Sequence, residues 1–534
     1  MKSTATTSTM TSKRDSHEFP GSVYLISSSG QMLSLPIPTS SPRDPLNWSK
    51  TRRSAAFISL MLFAVLSFVL VEGASIMFKP LAQEFSPADT KPFSLDTLVS
   101  APTLFMGVGA FVWVPLTLAI GRRPVFLIAT TLLLAAAIWA GLAHKFYELL
   151  VSVCLMGFAG GFAISAALLM AIDLTFIHQR PQAIAIILCL TASISLGILS
   201  LIPQIPGFDK TWRFFYMALV IPCAASLLSS FFLYPETYFL RPALAFDGRV
   251  LVQSATEKVQ IYEEWEEVPG GKTLPETPDE SDWWNTMRVW RTTRGGFKAM
   301  LACYPQILLC FCNPLIFWVA LLNAVNFVGM MSIGETYYTL LISEPYSLPI
   351  HLIALVNLSA AVGSLIAWPA SGIMISWISR RLTIRNKGVR NAEHYLPAFV
   401  LPVLAGAVSV VIYGFAAEYK WHWRWIFISY ALNGFSYSGL ATANTLWATE
   451  AFPRWAAPAL VVVGGGSYVA SFGSSYFILP WLRSQGYARM NIEIAVLIVV
   501  IGFSVVPVAF RGKNLRQYIH GRWGISEAGA LRPQ

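Results

Sequence analysis

Glu72 and Glu335 are carboxylates placed where carboxylates are costly. Each lies in the outer part of a long apolar run, the first at 54–78 and the second at 308–340. An ionisable side chain within a membrane span is rare and is a functional candidate by default. A carboxylate in apolar surroundings holds a proton when it stands alone and releases it when a cation arrives. That is the minimal chemistry for exchanging protons against a cationic solute. The competing possibility is two solvated carboxylates at the outer membrane interface, with no chemical role.

A second set of charges lies at the other ends of the apolar runs. Asp173 and Glu450 follow the runs 147–172 and 423–448, and each has an arginine in the next loop, Arg180 and Arg454. The spacing predicts two ion pairs, Asp173 with Arg180 and Glu450 with Arg454, holding a gate; solvation of two helix ends is the alternative. Arg122 and Arg123 sit in the tight turn Ile120-Gly121-Arg122-Arg123-Pro124. There they are placed to brace the same gate through helix carbonyls or anionic lipid, or to mark topology alone. Polar and aromatic residues supply candidate cavity lining: Trp318, Asn323, Asn326 and Tyr337 in one run, Tyr430, Asn433, Tyr437 and Asn444 in another. Asn433 and Tyr437 are four apart and share a helix face. Aromatic faces suit organic cations. Packing and interhelical hydrogen bonding explain any single one equally well.

The elements that must position these groups are membrane helices. The 534 residues are 55% hydrophobic and 12% charged, with a mean hydropathy of +0.56. Soluble domains carry about 25% charged residues. The apolar runs are continuous, whereas a membrane barrel would alternate. Twelve runs are long enough to cross roughly 30 Å of hydrocarbon at 1.5 Å per residue. They lie near 54–78, 96–120, 124–143, 147–172, 182–205, 213–234, 308–340, 350–378, 395–417, 423–448, 457–480 and 490–511. The run at 308–340 is overlong, which predicts tilt or a part outside the bilayer. The expected fold is therefore all-α, with twelve transmembrane helices.

An even number of spans puts both termini on one side. Arg122, Arg123, Arg180, Arg380 to Arg390 and Arg454 all fall in short loops of that side, so the positive-inside bias makes it cytosolic. The same bias accounts for the net charge of +10 without nucleic acid. The first fifty residues are polar and Ser/Thr-rich with no apolar signal region, so the first span is expected to direct its own insertion. The expected organisation is a tail at 1–53, disordered over 1–40, a six-helix bundle at 54–234, a linker at 235–304, a second bundle at 305–512 and a tail at 513–534. The linker holds Pro269-Gly270-Gly271 and the acidic cluster Glu263, Glu264, Glu266 and Glu267, with a short helix expected over Arg249–Glu267. The bundles echo each other: Ile120-Gly121-Arg122-Arg123 has a counterpart in Ile378-Ser379-Arg380-Arg381, and Asp173 with Arg180 in Glu450 with Arg454. Six-plus-six repeats place the substrate site at the midplane between bundles.

Several segments in this order carry a family resemblance. They are Arg43-Asp44-Pro45-Leu46-Asn47-Trp48-Ser49, Gly121-Arg122-Arg123-Pro124, Tyr234-Pro235-Glu236-Thr237, Asp247-Gly248-Arg249-Val250 with Thr256-Glu257-Lys258-Val259, Arg390-Asn391-Ala392-Glu393-His394-Tyr395-Leu396-Pro397, and Trp421-His422-Trp423. Over roughly 43–518 the chain resembles the major facilitator superfamily, in particular its fungal twelve-span drug:proton antiporter branch. The resemblance implies alternating access, proton coupling and a small organic substrate. It also implies that Glu72 and Glu335, symmetry counterparts, both face the central cavity. The chain departs from the family pattern at three places. Leu118 and Ala119 stand where an acidic residue and an arginine usually precede the turn. Val153 stands where an arginine usually precedes Gly157. Ser195-Leu196-Gly197-Ile198-Leu199-Ser200 replaces the antiporter signature. Proton-coupled efflux is the leading expectation, uptake of a cationic, polyamine-like nutrient the second, and a non-transporting sensor on the same fold the third.

Other classes find little support. There is no phosphate-binding Gly-x-x-x-x-Gly-Lys-Ser/Thr, no mid-span histidine, and no nucleophile–base or metal-ligand constellation. No enzyme activity, cofactor or metal is expected. Cys154, Cys189, Cys223, Cys303, Cys310 and Cys312 read as small apolar packing residues. Gly157 and Gly161 form a Gly-x-x-x-Gly pair for close helix packing. Trp113, Trp139, Trp421, Trp423 and Trp425 lie near span ends and read mostly as interfacial belts. The expected setting is a monomer in the plasma membrane, with protons, lipid and a small organic solute as partners.

Overall fold

A computed structural model describes residues 22–24, 34–36, 38, 43–205, 212–239, 250–253, 259–262, 293 and 296–520. The acidic cluster, the Pro-Gly-Gly segment, residues 1–21 and the tail from 521 lie outside the described residues. Long apolar stretches form helices because in hydrocarbon each backbone N–H and C=O needs a partner within its own segment. Among the described residues, nine helical stretches are long and apolar enough to cross a membrane. The remaining expected runs are helical too. The fourth is broken into α5 (Phe146–Gly160) and α6 (Ala166–Asp173), the tenth is the more polar α16 (Arg424–Ala451), and the last two run together through a kink at Gly486.

The first half comprises α1 (Lys50–Ile76), α2 (Phe78–Glu84), α3 (Thr97–Ile120), α4 (Arg122–Leu142), α5, α6, α7 (Arg180–Ala185) continued by α8 (Thr191–Leu201), and α9 (Trp212–Leu233). The second comprises α10 (Gly296–Cys312), α11 (Pro314–Gly334), α12 (Tyr337–Ile342), α13 (Ile350–Trp368) continued by α14 (Ile375–Arg385), α15 (Val400–Glu418), α16, α17 (Ala456–Leu460), α18 (Gly466–Phe503) and α19 (Val505–His520). Each half packs its elements in the same way. In the first, α3 lies on α5 and α4 on α9; in the second, α13 lies on α16 and α15 on the distal part of α18. The halves meet along α8 against α13 and along α3 against α18. Wide π-helical turns interrupt these interfacial helices at Ile186–Leu190, Pro369–Met374 and Val461–Gly465. Large apolar side chains on the outer surface are bare, among them Ile221, Leu308 and Val500, as a lipid-facing belt requires.

Gly157 and Gly161 let α5 approach α3 closely. A Cβ at either would sit 2.3 Å from the Pro102 carbonyl oxygen or 2.4 Å from that of Met106. Trp113 departs from the interfacial expectation: it is buried at this contact and its Nε1 donates to the Phe158 carbonyl at 2.6 Å. Trp139, Trp421 and Trp425 are exposed.

Two further expectations are corrected. The overlong run at 308–340 is not one tilted helix. It breaks after Cys312, where Asn313 caps α11 by accepting from Leu315 N–H, and again at Glu335–Thr336. Helix α10, which begins inside the segment assigned to the linker, lies along α3 and α17, with Phe311 stacked on Phe111. Within 249–267 the described residues form not a helix but an antiparallel pair, β2 (Val250–Gln253) and β3 (Val259–Tyr262); their β-branched content favours strands. Within the tail expected to be disordered over 1–40, the described residues include a strand, β1 (Ser22–Tyr24), which pairs antiparallel with β4 (Val389–Asn391) in the loop after α14; most of that expectation lies outside the described residues.

Candidate functional site

The turn after α3 is built around Glu236. Gly121 takes a φ of +95°, which L side chains rarely adopt, and a Cβ there would lie 2.5 Å from Glu236 Oε2. The turn presents the Arg122 and Arg123 amides to the Glu236 carboxylate, at 3.0 and 3.2 Å. Arg122 Nε also meets Asp173 Oδ2 at 3.3 Å, and Arg123 donates to the Phe231 carbonyl at 2.7 Å. The acidic partner missing at Leu118 is thus supplied from after α9 and from the end of α6. The carbonyls of Leu118 and Ala119 instead accept from the Thr293 hydroxyl, at 2.5 and 3.1 Å.

The expected ion pairs are therefore exchanged. Asp173 pairs with Arg122 instead of Arg180, because α6 ends beside the Gly121 turn. Arg180 opens α7 at the boundary between the halves and reaches across it to Glu450, with Nη1 2.7 Å from Oε1. Both side chains of this pair are buried. Arg454 lies in the turn Pro453–Trp455 that follows α16. Next to the pair, Arg390 Nη1 donates across the halves to the Ile177 carbonyl at 3.1 Å. Burial lowers the Arg390 guanidinium to about 10, with Glu450 raising it and Arg180 lowering it. Ile172 and Ile184 pack on Leu446 in a small apolar plug between the halves. The face that carries the termini is closed.

Above the plug lies a cavity of about 670 Å3 between the halves. Its walls reach Asp96, Thr97, Pro203, Tyr338 and Arg483, near helix ends remote from the termini, so it extends toward the opposite face. Glu72 and Glu335 both line it. Four tyrosines, Tyr337, Tyr430, Tyr437 and Tyr468, lie within electrostatic reach of Glu72. Tyr337 and Tyr430 pack at 5.6 Å, and Phe327 packs on both Tyr437 and Tyr468, whose hydroxyls are 2.8 Å apart. Glu335 is different: Ser475 and Asp96 lie within its electrostatic reach. Arg483 also lines the mouth, so the entrance carries both signs of charge.

The amides divide. Asn323 and Asn444 both line the cavity and are joined, Asn444 Nδ2 donating to Asn323 Oδ1 at 3.0 Å while Asn323 donates to Ser467 and to the Val463 carbonyl. Asn326 does not belong to the cavity wall. It is buried between helices, where its Oδ1 accepts from Ser436 at 2.9 Å. Asn433 touches the wall, but its Nδ2 is turned to Ser409 at 3.2 Å. Their polarity serves helix packing, which a sequence cannot separate from lining. Residues not foreseen are Phe327, Asp96, Asn357, Tyr468 and Ser475. For Tyr468 the signal was present in the spacing Tyr468, Ser471 and Ser475, a polar stripe on an otherwise apolar helix.

A family model described as Major Facilitator Superfamily matches residues 56–480. Protein HOL1 of Saccharomyces cerevisiae is 23% identical over 93% of this chain and 92% of its own length. An uncharacterised MFS-type transporter of Schizosaccharomyces pombe is 21% identical over 92% and 89%. The efflux pump radE of Floropilus chiversii is 23% identical over 89% and 83%. Among solved structures, the proton:xylose symporter XylE bound to 6-bromo-6-deoxy-D-glucose superposes with a TM-score of 0.57 at 14% identity, covering 88% of this chain and all of that one. The human organic anion transporter MFSD10 superposes with a TM-score of 0.55 at 13% identity, covering 87% and 100%. At such identities these two likenesses speak for the fold alone.

Proposed function

Because the chain belongs to the major facilitator superfamily and so is a transporter of small solutes, we propose that it exports a small organic cation in exchange for protons. The observation that carries this is the placement of Glu72 and Glu335 on one cavity between the halves. Glu72 beside four tyrosines offers a charge and aromatic faces to a cationic group, the combination that favours desolvated ammonium or guanidinium. Glu335, with Asp96 at the mouth, offers a second acidic station on the same path. With the termini in the cytosol, as the basic short loops suggest, the cavity opens outward, and both carboxylates take protons from outside before the halves rock. The cation then displaces the proton at Glu72 from the cytosolic side. The Arg180–Glu450 pair and the apolar plug form the cytosolic gate, and the plasma membrane is the proposed site of action. The name of radE as an efflux pump is consistent with export.

A second reading, proton-coupled uptake of a cationic nutrient, is favoured by the loss of the antiporter pattern at Ser195–Ser200. Purified protein in liposomes with an imposed pH gradient separates the two. Under antiport, labelled organic cation moves against the proton flow; under uptake it moves with it. Glu72→Gln is expected to abolish gradient-driven flux in either case while the protein stays folded. Unchanged flux in that variant removes Glu72 from the mechanism.

A further inference from the structure

Two described parts of the N-terminal tail attach on the closed face, one to each half of the molecule. It is covalently part of the first half through α1, and Asp44 caps the short turn Pro45–Asn47 that leads into that helix. Leu35 is fully buried, and its carbonyl accepts from Ile177 N–H at 2.7 Å, in the loop after α6 of the same half. Beyond this anchor, β1 pairs with β4 of the other half, in the register Ser22 to Asn391, Val23 to Arg390 and Tyr24 to Val389. Ile177 is the node that joins the two attachments. Its N–H holds the tail, and its carbonyl accepts from Arg390, the middle residue of β4. Ile177 and Arg390 are both buried.

We propose that this tail is a strap that holds the closed face shut and biases the transporter toward the conformation with its cavity open on the opposite side. The two anchors lie on opposite sides of the boundary that must part. Rocking the halves separates the loop after α6 from the loop after α14, and the proposal requires that β1 leave β4 when the gate opens. The strap is backbone pairing and depends on no substrate. It therefore stands or falls independently of the proposed cation chemistry. Because the tail precedes the first membrane helix, changes in β1 leave the packed bundles untouched.

The test reads conformation directly. Ala185 is buried on α7, where it meets Gly372 of the other half, so a cysteine there is reached only when the closed face opens. The labelling rate of Ala185→Cys by a bulky maleimide, in a Cys312→Ser background, then follows the open population. Proline at both Val23 and Tyr24 removes at least one ladder N–H whichever of the two faces β4. Each net backbone hydrogen bond moves an equilibrium by about 2- to 10-fold, so the labelling rate should rise by at least that factor. Conversely, Tyr24→Cys with Val389→Cys places two thiols on a directly opposed pair. Their oxidation should suppress labelling and solute flux together, and a reductant should restore both. Labelling unchanged by the double proline overturns the proposal, and so does undiminished flux through the cross-linked protein.

Discussion

Glu450→Gln is the perturbation whose effect can be worked furthest. In the closed conformation Glu450 faces Arg180 at 2.7 Å, with side-chain exposures of 10% and 7%. Arg390 lies close enough to feel both charges, and at about 10 it remains protonated at neutral pH. Removing the carboxylate leaves two buried guanidiniums facing each other. Deleting one partner of a buried pair costs about 3–5 kcal/mol. When the halves part, water reaches these groups, so most of the cost falls on the closed conformation alone. At 1.36 kcal/mol per tenfold, the open-to-closed ratio should rise by roughly 10²- to 10³-fold. Maleimide labelling of Ala185→Cys measures that ratio. Arg180→Met should do less, because Glu450 then still has Arg390. A labelling rate within about twofold of the parent for Glu450→Gln, or a larger effect of Arg180→Met, would refute the assignment of this pair as the gate.

Other outcomes follow from the same geometry. Glu335→Gln should weaken binding of organic cations more than of neutral solutes, read by displacement of a labelled ligand; equal loss for both argues against a charge role. Gly121→Ala must hold φ at +95° and push Glu236 away, so a loss of about 1–2 kcal/mol or more is expected as a lower melting temperature. Tyr468→Phe keeps the ring contact with Phe327 and removes the hydroxyl that meets Tyr437; affinity for cations should fall modestly, whereas Tyr468→Ala should lower it severalfold further. On the face where the cavity opens, Arg213 grips Glu84 at 2.6 Å and holds its carboxyl below the ordinary value of 4.5. A depressed carboxylate gives stability that is present above its unfolded value and lost as pH falls through its folded one. The pair is partly exposed, so its share is under about 1 kcal/mol. Melting curves between pH 6 and pH 3 should show a pH-dependent loss that is smaller in Glu84→Gln than in the parent, the remainder coming from other depressed carboxylates such as Asp89 and Glu148.

Much of the molecule is legible in one dimension because a membrane leaves the backbone few options. Continuous apolar runs, basic short loops and an internal echo pointed to the helical class and a two-half plan, and the ordered motifs between Arg43 and Trp423 carried the family resemblance. The two costly carboxylates stood out for the same reason, since hydrocarbon makes any buried charge conspicuous. What the runs could not convey was direction around the helix axis. Asn323 and Asn326 are one turn apart, yet one lines the cavity and the other ties helices together. Ion pairing was equally out of reach. Nearness in sequence suggested Asp173 with Arg180 and Glu450 with Arg454, but charges pair by distance in space, and the fold brings Arg122 to the first and Arg180 to the other half's carboxylate. The tail shows the same limit: three residues of ordinary strand character become a link between halves only because β4 offers them an edge. The sequence by itself determined which segments are apolar enough to enter the membrane and which charged groups stand out within them. The tertiary structure decided which of those groups meet, because only packing two helical halves together sets the distances on which electrostatics and hydrogen bonding depend.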